Sequence, residues 1–131
     1  MPFLCPSCKR PHLEITCGIE LPPDSRSDEI TLQALHCSAC SFAATAVYEE
    51  SRRGSLDSEC VNHEGYGFPP ARVEEIEELI GRCPEPSRGS CQCASHRLLG
   101  RTKGGRWSGL DDLAPVESFP MTLACEDKDK L

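Results

Sequence analysis

The stretch Leu13-Glu-Ile-Thr-Cys-Gly-Ile-Glu-Leu21 places an apolar side chain at every second position, with polar or small residues between. Because successive side chains of a β-strand point to opposite faces, this alternation predicts a strand with one buried and one wet face. The next residues, 21–29, contain two adjacent prolines and several turn formers, so they predict a long hairpin loop rather than a longer strand.

Two further strands are expected after this loop, over residues 30–37 and 42–49. In the second of them, one face carries Phe42, Ala44, Ala46 and Tyr48. Residues 50–70 contain turn-forming glycines and indicate at most one short helical turn, around residues 56–61.

An amphipathic helix is expected to begin at Pro70 and to end near Gly81. Proline suits the first turn of a helix, and glycine suits the residue where a helix stops. The apolar residues of this segment recur at helical spacing on one face, which is made of Val73, Ile76, Leu79 and Ile80.

Two pairs of cysteines flank the first two strands, Cys5-Pro-Ser-Cys8 and Cys37-Ser-Ala-Cys40. Two residues between thiols allow a tight turn, here called a knuckle, to aim both sulfurs at one ion about 2.3 Å away. Two knuckles complete a tetrahedral shell, so this pattern predicts a zinc site. The rival interpretation is a redox site like the C-P-x-C of glutaredoxin-type enzymes. Pro11 and the strand that follows argue against the helix such a thiolate needs.

Residues 3–51 resemble the zinc-ribbon superfamily, in which knuckles lie next to antiparallel strands. The 28 residues between Cys8 and Cys37 exceed the common gap of roughly 15 to 20 and fit an extended hairpin. Lys9 and Ser41 stand where a knuckle often has glycine. The resemblance implies a binding role but selects no partner and no subfamily.

A second zinc site is expected in the segment Cys83-Pro-Glu-Pro-Ser-Arg-Gly-Ser-Cys-Gln-Cys-Ala-Ser-His96, which is too rich in Pro, Gly and Ser for a helix or strand. One irregular loop can fold back so that three thiolates and one imidazole form a complete shell. The four ligands of this interpretation are Cys83, Cys91, Cys93 and His96.

Several alternatives for this second site stay open from the sequence. The pair Cys60-Val-Asn-His63 can replace two ligands, most simply Cys93 and His96. An iron–sulfur cluster is another alternative, since four thiolates are available from Cys60, Cys83, Cys91 and Cys93. A disulfide between Cys91 and Cys93 is a further one. A metal with three protein ligands would activate water, with Glu64 as general base, although a closed structural site is favoured.

The composition predicts that this chain needs metal to stabilise its fold. Its 131 residues are 38% hydrophobic and only 5% aromatic, too few to fill one large core, and ten cysteines are available as ligands. The beginning of the sequence lacks a charged leader before an apolar run, and no stretch approaches a membrane span, so a cytoplasmic location with reduced thiols and no membrane partner is expected.

The net charge is −7. A zinc ion with four thiolates adds −2 and one with three thiolates and a neutral His adds −1, so the doubly loaded chain is near −10. A net negative charge of this size opposes nonspecific attraction of the chain to phosphate backbones.

These features predict a small α+β protein: a zinc-ribbon antiparallel sheet, then one helix and a second Cys/His metal loop. Three segments are expected, a zinc-ribbon β domain at 1–51, a linker with the amphipathic helix and second zinc site at 52–96, and a basic glycine-rich segment with a mobile acidic tail at 97–131.

The expected function is that of a small adaptor or regulatory binding module with two structural Zn²⁺ ions and another protein as partner. The first alternative is a metalloenzyme with a catalytic metal at the 60–96 site. The second alternative is nucleic-acid binding, through the basic and aromatic residues Arg97, Arg101, Lys103, Arg106 and Trp107.

Overall fold

A computed structural model describes residues 3–23, 29–51, 60–109 and 118–121. The strands are β1 (Leu13–Leu21), β2 (Glu29–Cys37), β3 (Ala43–Ser51), β4 (Cys60–Gly67), β5 (Thr102–Lys103), β6 (Arg106–Trp107) and β7 (Ser118–Pro120). The helices are α1 (Pro70–Gly81) and α2 (Ala94–Leu99). The fold is small α+β. No helix of the described ranges is long and apolar enough to cross a membrane.

Five strands form one antiparallel sheet in the order β1-β2-β3-β4-β7. The first four are a meander, because each pairs with its neighbour in sequence. The chain then passes through both helices and the small β5–β6 hairpin before it returns as β7 beside β4. The sheet thus contains strands from all three expected segments, whose boundaries stay a prediction.

Strand β1 contains a β-bulge that changes which face its side chains occupy. The register shifts between Ile15, opposite Leu35, and Cys17, opposite Ala34. An extra residue in a strand reverses the alternation beyond it. The sequence predicted one apolar face for the whole strand, which is wrong: Leu13 lies on one face of the sheet and Ile19 on the other, while Ile15 is 40% exposed.

The helix face of the sheet is the one on which α1 packs. Val73, Ile76 and Ile80 of α1 are buried against it, which confirms the amphipathic helix expected from the sequence. The side chain of Glu77 also reaches the sheet, where its Oε2 lies 3.0 Å from His36 Nε2 and accepts from Thr16 Oγ1 at 2.9 Å. The buried residues of this core are Ile19, Leu21, Ile30, Leu32, Ala34, Ala43, Val47, Phe68, Val73, Ile76, Ile80, Cys83 and Leu99.

The opposite face, here called the knuckle face, packs against the N-terminal segment and carries the Phe119 side chain of the edge strand β7. Phe3 pairs with Leu13 through reciprocal backbone hydrogen bonds of 2.7 and 3.0 Å, which fix the chain just before the first knuckle. Its buried residues are Phe3, Cys5, Leu13, Leu35, Cys37, Ala44, Ala46 and Phe119. Each face therefore contains one small core.

Three elements differ from the sequence expectation. Cys60 and Val61 begin strand β4, where a helical turn over 56–61 was expected, and residues 52–59 lie outside the described ranges. Helix α2 occupies part of the segment judged too irregular for a helix. The basic segment forms the β5–β6 hairpin, whereas the acidic tail lies outside the described residues.

Gly65 of β4 sits directly beneath the ring of Phe119, so a Cβ at this position would overlap the ring. Gly81, at the end of α1, has no atom within 4 Å of an added Cβ. We expect Gly65→Ala to lower the free energy of unfolding by about 1 to 3 kcal/mol through overpacking. The matched Gly81→Ala should be neutral or stabilising by up to about 1 kcal/mol. Denaturant titrations at fixed free zinc measure both, and equal effects would contradict the packing of β7 on β4.

Candidate metal centres

The first centre brings together the four cysteines of the two knuckles. Cys5 Sγ lies 3.7 Å from Cys40 Sγ, and Cys8 Sγ lies 3.7 Å from Cys37 Sγ. All four sulfurs are within 4.8 Å of one another. A tetrahedron of sulfurs around an ion at 2.3 Å has edges of about 3.8 Å, so this spacing fits one shared ion.

Backbone hydrogen bonds shape each knuckle. In the first, the amide of Cys5 donates to Arg10 O and that of Lys9 donates to Cys5 O, both at 2.9 Å. This closed turn places Lys9 at φ 66°, in the left-handed region, where zinc ribbons often have glycine. In the second, Cys37 N donates to Phe42 O at 3.0 Å. Lys9 therefore adopts the positive φ that a glycine would adopt more easily.

The second centre brings together Cys83, Cys91, Cys93 and His96, whose ligand atoms also lie within 4.8 Å of one another. Cys83 Sγ is 3.9 Å from Cys91 Sγ, and His96 Nδ1 is 3.2 Å from Cys83 Sγ and 3.3 Å from Cys93 Sγ. For bonds of about 2.05 Å to nitrogen and 2.3 Å to sulfur, a tetrahedral N···S edge is about 3.5 Å. The donor set of three thiols and one imidazole therefore fits a single ion.

The two ring nitrogens of His96 have different tasks. Nε2 lies 2.8 Å from the carbonyl oxygen of Glu20, which can only accept, so Nε2 carries the proton and donates. A neutral ring then leaves the lone pair of Nδ1 facing the thiols of Cys83 and Cys93. A metal-ligating histidine usually donates its other N–H to such an oxygen, which orients the ring.

The second centre is anchored to the outer edge of β1 at one residue. Glu20 N donates to Pro86 O at 2.6 Å, and Glu20 O accepts from His96 Nε2. The loop and helix α2 thereby cover backbone groups that an edge strand would otherwise leave exposed. Cys93 also caps α2, because its Sγ accepts from His96 N at 3.4 Å, and Ser95 Oγ donates to Leu79 O of α1.

The thiols of each cluster have unequal acidities before metal binds. Burial raises the pKa of Cys5 to about 12 and that of Cys83 to about 11. The hydrogen bond from the backbone N–H of His96 is the largest cause that lowers the pKa of Cys93, to about 6. Burial raises the pKa of Cys37, but backbone N–H groups of Ala39 and Cys40 and the neighbouring thiols lower it to about 7 overall. Metal therefore displaces protons against the greatest cost at Cys5 and Cys83.

Among the alternatives for the second centre, His63 lies elsewhere. It is on β4, where its Nε2 is 2.8 Å from Gln33 Oε1 and its ring contacts Phe3 and Tyr48 edge-on on the knuckle face. Burial lowers the pKa of His63. The side chain of Cys60 lies outside the described residues. All eight cysteines described, Cys5, Cys8, Cys17, Cys37, Cys40, Cys83, Cys91 and Cys93, are free thiols.

Of the predicted nucleic-acid residues, Trp107 is only partly exposed. Its indole Nε1 donates to Leu99 O at 2.7 Å, and its ring packs against the core of the helix face. Arg97, Arg101 and Lys103 are exposed, and the side chain of Arg106 lies outside the described residues.

Sequence reasoning missed the backbone of Glu20 and Pro86 as supports of the second centre, since a backbone contact has no residue signature. It also missed α2, although Ala94-Ser-His-Arg-Leu-Leu99 followed by Gly100 has ordinary helix formers and a glycine stop.

Comparisons with known proteins do not assign this chain to a family. No family model, no curated protein and no solved structure matches this chain. Two cysteine-rich clusters on a small antiparallel sheet fit a zinc-binding, ribbon-like module.

Metal stoichiometry should separate the two centres. We expect Cys8→Ser and Cys91→Ser each to reduce the bound metal from two ions to one per chain, because each removes one ligand from a different shell. Cys17→Ala is the matched control, because Cys17 packs against the core of the helix face and should leave two ions bound. Elemental analysis of purified protein gives the answer. Loss of metal in the Cys17 variant, or retention in both ligand variants, would contradict the assignment.

Loss of the second centre should also release the edge of β1. In Cys91→Ser, we expect the amide of Glu20 to exchange with solvent at least about tenfold faster, because its acceptor Pro86 O belongs to the loop that the metal holds. The amide of Leu32, in the interior strand β2, is the internal control and should be nearly unchanged. Hydrogen exchange resolved by residue tests this, and equal acceleration at both amides would indicate general unfolding instead.

Proposed function

We propose that this protein is a small adaptor module in which two structural zinc ions take the place of a larger hydrophobic core. The observation that carries the proposal is the pair of complete four-ligand clusters, each within 4.8 Å and each on a different core of the same sheet. A metal whose four positions are filled by side chains holds a fold together and has no position for substrate.

Zinc is the ion that the donor sets favour. Four thiols, or three thiols and one imidazole, are the common ligands of structural zinc. Sulfur separations of 3.7 to 3.9 Å support one shared ion, since an iron–sulfur cluster distributes its thiolates over several irons and spreads them apart.

Burial of the second centre supports a structural rather than a catalytic role. Cys83 and His96 are only 6% and 3% exposed, so water has little access to the ion from their side. The enzyme alternative also loses a ligand. His63, the residue that would bring a metal beside Glu64, points to Gln33 on the knuckle face, whereas Cys83 belongs to the core of the helix face.

The remaining surface is available for contacts with another protein, which is the partner class proposed here. Both metal clusters are packed against the sheet, and exposed side chains of the described residues lie on helix α1, on the loops and on strands such as β1. Zinc in such a module positions surfaces and does no chemistry.

Cobalt substitution tests the closed shells. We expect two Co²⁺ ions per chain, a tetrahedral visible spectrum with thiolate charge-transfer bands, and no spectral change when cyanide or another small anion is added, because no coordination position is open. The unmodified protein should contain zinc and lack the visible absorption of an iron–sulfur cluster. A ligand-sensitive spectrum at one site would instead support the metalloenzyme.

A further inference from the structure

The charge of the chain is strongly segregated along the sequence, in the segment that forms the second metal centre. Before metal binds, residues 82–109 contain six Arg or Lys and one acidic residue, a net charge of +5, whereas the whole chain carries −7. The rest of the chain therefore carries −12, and two bound zinc ions change the two values to about +4 and about −14. A local basic surface on an acidic protein attracts a partner to one place and repels it from others.

The segment that bears this charge is tied firmly to the second centre. Cys93 caps α2, and the β5–β6 hairpin that follows is attached to it through Trp107 Nε1, which donates to Leu99 O, and Ser108 N, which donates to Arg101 O at 2.8 Å. Gly104 and Gly105, at φ 63° and 81°, make the tight turn of the hairpin. The basic side chains thus project from a defined scaffold.

Two of these cations, Arg97 and Lys103, form no ion pair within the described residues. Arginines nearer the acidic helix behave differently: Arg72, Arg82 and Arg88 each pair with a glutamate three or four residues away. In the part of the chain that the structure describes, the cations on and just after α1 are therefore paired, whereas Arg97 and Lys103 are not.

An exposed apolar side chain lies among the basic ones. Leu98 is 43% exposed, follows Arg97 directly, and its carbonyl oxygen accepts from Arg101 Nε at 3.2 Å. Lys103 is two residues beyond Arg101, and both are exposed. We call Arg97, Leu98, Arg101 and Lys103 the basic surface.

We propose that the basic surface binds a short acidic peptide segment of another protein, with an apolar side chain of that segment resting on Leu98. The proposal rests on the module function above and names its partner class. Carboxylates flanking one apolar residue match both the charge and the exposed leucine.

A nucleic acid fits the same surface less well. The indole of Trp107, which would stack a base, is hydrogen-bonded to Leu99 O and packed against the core of the helix face. A phosphate backbone that extends beyond the basic surface also meets the field of the acidic rest of the chain, about −14 with zinc bound, which opposes its binding.

A second copy of this chain is also a weaker fit. Its acidic helix offers Glu74, Glu75 and Glu78, which are exposed. The apolar residues between and beside them are inward, with Ile76 only 1% exposed, so they cannot rest on Leu98.

Fluorescence anisotropy of the zinc-loaded full chain with labelled peptides tests the proposal. The probe is Gly-Asp-Glu-Leu-Asp-Glu-Gly, with a version in which its leucine is serine and a twelve-nucleotide oligo-dT as comparisons. We expect the leucine peptide to bind most tightly at about 20 mM salt and to weaken several-fold at about 150 mM, as screening of a charged contact requires.

Variants locate the contact. Arg97→Glu with Lys103→Glu should weaken peptide binding at least about tenfold, and Leu98→Ser should weaken the leucine peptide several-fold but not the serine peptide. The matched control, Arg10→Glu with Arg72→Glu, makes the same charge change at exposed residues away from the basic surface and should retain binding. Each variant must keep two zinc ions, which separates failure of this inference from failure of the zinc assignment.

Other outcomes overturn the proposal. Undetectable binding of both peptides, or equal loss in the control variant, would leave no specific acidic-peptide surface. Tighter binding of oligo-dT would assign the surface to nucleic acid. Concentration-dependent self-association that disappears in the Arg97/Lys103 variant would assign it to a second copy.

Discussion

Strand β1 has to serve two cores, and the bulge at its centre makes this possible. Before the bulge, Leu13 faces the core that holds the first cysteine cluster; beyond it, Ile19 and Leu21 face the core that holds the second. Without the extra residue, the apolar side chains of the whole strand would lie on one face, and one of the two cores would lose its share of them. The bulge is further held by Thr16, whose hydroxyl contacts Ala34 O and Glu77 of α1.

In the proposed zinc-loaded protein, metal coordination supplies what the small cores do not. The core on the knuckle face contains only eight buried residues among those described, four of them no larger than cysteine. Structural zinc in small domains contributes about 10 to 16 kcal/mol of apparent binding free energy, which equals or exceeds the about 5 to 15 kcal/mol net stability of an ordinary domain. Ligand binding is therefore large enough to decide whether this chain folds.

Local patterns in the sequence were sufficient for the elements whose signal is local. Strands β1 to β3, helix α1 and the knuckle cysteines were predictable because alternation, a proline start and paired thiols each act over a few residues. The bulge was not, since the alternation from Leu13 to Leu21 continues unbroken and only pairing with β2 reveals the shift. Strand β4 was missed because Gly65 resembles a turn residue, whereas its role is to admit the distant Phe119 ring.

The grouping of the second centre required the fold, because spacing alone allowed Cys60 and His63 as ligands. His63 is held away from the second centre because it contacts three other strands or segments: Gln33 on β2, Tyr48 on β3 and Phe3 before β1. His96 is selected by Glu20, 76 residues earlier in the chain, whose carbonyl fixes the ring so that Nδ1 faces the thiols. The same contact joins the metal cluster to β1, and Cys93 joins it to α2. A change in metal occupancy at this centre must therefore act both on the sheet edge and on the basic surface that α2 begins.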